Sequence, residues 1–137
     1  MKNRILDTRA FDSDLSVLLL RLIFGGLFVF HGLTKLLSFN KFLPMFQDYI
    51  GIGPKLSFIL VIFAEFGCGL LIVLGLFTRL AVIPIFITMI VVFFIVHGKD
   101  PFVMKLLPFV YLLLCFVIFV NGSGRYSVDY LIFRRKS

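Results

Sequence analysis

Four apolar runs of about twenty residues, joined by short polar connections, decide what this chain can become. They extend from about Leu15 to Leu37, Leu56 to Phe77, Leu80 to Val96 and Phe102 to Val120. A helix of ~20 residues crosses the hydrocarbon layer of a bilayer, where every backbone polar group must be satisfied within the segment. The pattern predicts an all-α membrane protein: one domain, residues 1–137, folded as an antiparallel four-transmembrane-helix bundle. A mean hydropathy of +1.10 and 19 phenylalanines in 137 residues leave too little polar surface for a water-soluble domain. The first run is too long for a signal peptide and lacks a small-residue cleavage site, so it reads as a retained helix.

Between the first two runs, Phe39, Phe42, Met45, Phe46, Tyr49 and Ile50 fall roughly on one helical face, with Lys41, Gln47 and Asp48 between them. That spacing predicts an interfacial segment between helices 1 and 2. The formal charge of +7 would suit nucleic acid in a polar protein. Here the basic residues stand at the edges of apolar runs, where they anchor helices and set topology, so membrane lipids are the expected partners and nucleic acid is not. Four spans put both termini on one side with Lys2, Arg4, Arg9, Arg79, Arg125, Arg134, Arg135 and Lys136. The other side carries Lys35, Lys41, Lys55, Lys99 and Lys105. The excess of positive charge predicts cytoplasmic termini.

Ionisable groups inside the runs cost a few kcal/mol each and need protein partners. In the first run, His31 and Lys35 lie about −80° and −40° from Arg21 around the helix, with Gly25 and Gly32 at about +40° and +20°. That arc should face the bundle. Glu65 is central in the second run, beside Cys68 and Gly69, and His97 ends the third. Helix directions then predict two polar groups. His31, Lys35, Glu65 and His97 gather toward the outer half, and Arg21, Arg79, Arg125 and Asp129 gather at the inner boundary. The outer group reads either as a charge-compensated pin or as a site for a polar headgroup, a quinone carbonyl or a proton relay. Depth favours His31 over Lys35 as the partner of Glu65. At the inner boundary the expectation is lipid-phosphate contact or pairing of the arginines with Asp129.

Cys68 and Cys115 form no CxxC pair and read as buried thiols. There is no haem-attachment, dinucleotide or HExxH motif, and no metal site is expected. The cofactor is left unknown.

Several pieces of the sequence occur together: Leu20-Arg21-Leu22 leading to Phe30-His31-Gly32-Leu33-Thr34-Lys35-Leu36, Ala64-Glu65-Phe66-Gly67-Cys68-Gly69-Leu70-Leu71, Leu74-Gly75-Leu76-Phe77-Thr78-Arg79-Leu80-Ala81, Val96-His97, and Gly122-Ser123-Gly124-Arg125-Tyr126-Ser127-Val128-Asp129. In these pieces the chain resembles the DoxX family of small bacterial membrane proteins. Cys68 stands where the family more often shows paired glycines. The resemblance implies four helices in the bacterial inner membrane. It also implies a link, through the similar DoxD-type proteins, to quinone or thiol redox systems. Three functions follow as expectations: a membrane subunit of such a system, a non-catalytic assembly subunit, or a small-solute carrier. Each implies a membrane-protein partner or a homo-oligomer.

Overall fold

The computed structural model describes residues 4–133. Lys2, Arg134, Arg135 and Lys136, counted above for topology, lie outside the described residues. The first long helix, α1 (Ser13–Leu37), starts where the Asp12 carboxylate accepts the Leu15 N–H at 3.1 Å, an N-cap that satisfies one free donor. The short α2 (Phe39–Phe42) and a tight turn at Leu43–Met45 follow, and then an irregular stretch to Gly53. The remaining membrane-length helices are α3 (Pro54–Leu74), α4 (Thr78–Val96) and α5 (Phe102–Asn121), and a final α6 (Val128–Phe133) closes the described chain. Among the described residues there is no strand. The four long apolar helices are those expected, and they pack in the order α1–α3–α4–α5 with α5 returning against α1.

Two expectations need correction. The second run ends at Leu74, three residues before the expected Phe77. Gly75 takes the left-handed conformation (φ 74°), and Leu76 N–H reaches back to the Leu71 carbonyl at 2.9 Å. This glycine-terminated close satisfies helix-end carbonyls and stops the helix although the next residues are apolar. The third helix starts at Thr78, two residues before the expected Leu80, so Pro84 is its seventh residue and lies in its interior, where it leaves a carbonyl of the preceding turn without its usual donor.

The core gathers Phe24 and Phe28 of α1, Cys68 and Ile72 of α3, Ala81, Val82, Ile85 and Met89 of α4, and Tyr111, Cys115 and Ile118 of α5. Both cysteines are free and buried. Helices α1 and α3 approach closely at their glycines. A Cβ on Gly25 would lie 2.8 Å from the Gly69 carbonyl oxygen, and one on Gly32 would overlap the Phe66 backbone. Small residues at this crossing allow the backbones to touch, which is how helices associate where no hydrophobic force separates protein from solvent.

Candidate functional site

The crossing of α1 and α3 places one ion pair inside the bundle. Lys35, near the end of α1, extends to Glu65, whose side chain is 7% exposed, and its Nζ lies 2.8 and 2.6 Å from the two carboxylate oxygens. Gly32, one turn before Lys35, brings the two helices close enough for this reach. Glu65 itself stands on a π turn, Phe63–Cys68, that interrupts α3. Such widened turns recur at functional sites. A second π turn, Val92–Val96, ends α4 on the facing side.

The pair lines a cavity of about 480 Å³ between α3, α4 and the segment before α3. Its walls are apolar, with Leu60, Phe63, Ala64, Pro84, Ile87 and Val91 among them. Polar groups enter from Gln47, Tyr49, Ser57 and Thr88. A smaller chamber of about 300 Å³ adjoins it and shares Lys35, Met45 and Phe46 as a common wall. His31 and Thr34 line that smaller chamber.

The wall is held in place by Asp48. Its carboxylate accepts the N–H groups of Gly51, Ile52 and Gly53 at 3.0, 3.2 and 2.7 Å and the Ser57 hydroxyl at 3.1 Å. The hydrogen bonds, that from Gly53 foremost, hold the carboxyl below its ordinary value. The same bonds clasp the segment to the first turn of α3. Phe46 packs its ring 5.0 Å from that of Phe58, and Phe39 stacks on Phe58 at 5.1 Å.

The outer group is therefore only partly assembled as expected. Lys35 and Glu65 meet. His31 turns to the neighbouring chamber, against the Phe30 ring, and makes no hydrogen bond to Glu65. The reason is reach: a lysine stem spans the turn of depth that separates its Cα from the carboxylate, and its ammonium bonds both oxygens. His97 bonds instead to Asp100 at 2.8 Å, three residues on, at the helix end.

At the end of the bundle that carries both described chain ends, the arginines also differ from expectation. Arg21, 1% exposed, donates to the Val73 carbonyl at 3.5 Å and to the Tyr126 carbonyl. Arg79 donates to the Phe119 and Val120 carbonyls at 2.8 and 3.3 Å. Neither forms an ion pair with Asp129. Each guanidinium reaches the C-terminal turn of another helix, that of Arg21 the end of α3 and that of Arg79 the end of α5, where free carbonyls and the negative end of the helix dipole attract a cation. Asp129 does the opposite task, accepting the Phe77 N–H at 3.0 Å at the start of α4 and the Ser123 hydroxyl at 2.5 Å. Arg125 is exposed. This end is a set of helix caps joining the α3–α4 and α5–α6 turns.

Sequence reasoning missed Asp48, Ser57 and Tyr49. The signal was present in Asp48-Tyr49-Ile50-Gly51-Ile52-Gly53-Pro54, where a carboxylate precedes two glycines and a helix-starting proline.

The family model for DoxX matches residues 16–98, more than half of the chain. That stretch contains the Lys35–Glu65 pair, the Asp48 clasp and both walls of the cavity, while the Gly122 to Asp129 motif lies beyond it. No curated protein and no solved structure gives a significant match. With four membrane-length apolar helices and a family match across the first three of them, this chain belongs to the DoxX family of membrane proteins.

Proposed function

We propose that this protein is the membrane subunit of a quinone-linked redox system in the bacterial inner membrane, with both termini cytoplasmic, and that the large cavity holds the quinone ring. The observation that carries this reading is the ion pair set into a chamber whose walls are mostly apolar. Lys35 and Glu65 neutralise each other, so the chamber offers hydrogen-bonding groups without net charge. Such a wall suits a neutral ring bearing carbonyl oxygens. A carboxylate or phosphate head would have to compete with Glu65 for the only ammonium on the chamber wall. A volume of about 480 Å³ lies within the range of small-molecule sites, which pair apolar walls with a few convergent polar groups.

In this reading the Lys35 ammonium has a third N–H free for a quinone carbonyl, and Glu65 orients that ammonium through its two hydrogen bonds. Aromatic and aliphatic walls exclude water from the ring. Electrons come from a partner subunit, and the residues of this chain bind, orient and hold a proton near the carbonyl oxygen. The test is extraction of the protein purified in mild detergent, followed by chromatographic detection of quinone, with wild type beside Glu65→Gln and Ala64→Phe. Stoichiometric quinone in wild type and its loss from Ala64→Phe support the reading. Quinone-free wild-type protein that also binds no added benzoquinone in calorimetry overturns it, and a stoichiometric protein partner in that preparation favours the assembly role.

A further inference from the structure

The large cavity has walls that are also the outer surface of the bundle. Leu60, Phe63 and Ile87 line it, and they are 45%, 57% and 56% exposed. Leu60 and Phe63 lie about 9 and 14 Å along α3 from Pro54, and Ile87 lies about 14 Å along α4 from Val96, at 1.5 Å per residue. The apolar core of a bilayer is about 30 Å thick, so these depths fall within hydrocarbon rather than among headgroups. A chamber whose rim is exposed at that depth opens sideways into lipid.

We infer that the ligand of this cavity is a membrane-dissolved amphiphile whose head reaches Lys35–Glu65 through a lateral opening between α3 and α4, with its hydrocarbon tail left lying across Leu60, Phe63 and Ile87. The inference rests on the site proposed above and adds its access route and the tail. The polar end of the chamber lies under the Asp48 clasp, with Gln47 and Tyr49 in its wall. The apolar end is the exposed rim, so the chamber is itself amphipathic along its length.

The chain contains no tryptophan, so Leu60→Trp puts a single indole at the opening. In phosphatidylcholine vesicles with brominated acyl chains its fluorescence should be strongly quenched, while acrylamide in the water quenches it weakly. Strong acrylamide quenching with weak bromine quenching overturns the lateral opening. The second arm measures binding of decylubiquinone and of tailless 2,3-dimethoxy-5-methyl-1,4-benzoquinone by calorimetry in detergent. Leu60→Trp and Ile87→Trp should weaken the tailed probe about tenfold more than the tailless one. Ile23→Trp, on a lipid-facing position of α1, serves as the control and should alter neither. Equal loss for both probes, or no loss for either, overturns the tail path while the head site stands. A wild-type protein that binds neither probe overturns the site and this inference together.

Discussion

Lys35 reaches inward from α1 and places its ammonium 2.8 and 2.6 Å from the two carboxylate oxygens of Glu65 on α3. The pair joins the two helices at the wall of the cavity, so its structural and ligand-binding roles are separable by substitution. Lys35→Met leaves a buried carboxylate without its partner and should lower stability in detergent by about 2 kcal/mol, below the full cost of a buried pair because Lys35 is partly exposed. Adding Glu65→Gln should restore most of that loss, since the amide needs no counter-charge. A thermal-melting double-mutant cycle measures the coupling, and additive losses would mean that the two residues act independently.

Arg21 should tolerate even a lysine poorly. Its planar guanidinium bridges the carbonyl of Val73, in the last turn of α3, and that of Tyr126, in the connection before α6. A lysine point charge cannot span both. Arg21→Lys should cost about 1–2 kcal/mol and Arg21→Leu about 3 kcal/mol in detergent melts. Asp129→Asn, which keeps one acceptor for the Phe77 N–H, should cost less than either.

Asp48 gives the protein an acid-sensitive clasp. Hydrogen bonds hold its carboxyl below the ordinary value of 3.8, so the stabilisation they provide is present above that value and is lost as pH falls through the lower folded value. Amide exchange at Gly51, Ile52 and Gly53, expressed as protection factors, should stay high at pH 5 and fall only once the pH is taken below 3.8. Asp48→Ala should show low protection at both. Protection unchanged in Asp48→Ala would remove the clasp from the account.

Gly32 should accept no side chain. A Cβ there meets the Phe66 backbone, which cannot rotate away as a side-chain end would. Gly32→Ala should destabilise by about 1–3 kcal/mol and, by forcing α1 from α3, weaken the Lys35–Glu65 contact as well. Gly26, whose added Cβ would meet nothing within 4 Å, supplies the control, and Gly26→Ala should melt close to wild type.

Run length and helical arc revealed the four helices and the inward face holding Arg21, Gly25, Gly32 and Lys35, because both depend on periodicity alone. The partner of Glu65 was harder to read. Comparing Cα depths favoured His31, but a long flexible stem moves a charge by a full turn, and a one-dimensional depth scale carries no side-chain length. Arg21 and Arg79 were given Asp129 or a lipid phosphate as partners because charges were set against charges. Helix-end carbonyls, which carry no letter in a sequence, hold them instead. The end of α3 at Gly75 lay within an unbroken apolar run, where a glycine signal competes with hydrophobicity and is easily passed over.

The π turn at Phe63–Cys68 has a further consequence for how this helix tolerates change in length. Its hydrogen bonds close over five residues rather than four, so the turn absorbs one residue more than an α-helical course needs. Faces on either side keep their phase: Phe58 and Ile62 before it and Gly69 and Ile72 after it are all buried. A one-residue deletion inside the turn would therefore leave the rest of α3 seated on its neighbours and alter the stretch around Glu65 alone. Such a deletion would reshape the wall of the chamber that carries Glu65 without unseating the membrane bundle.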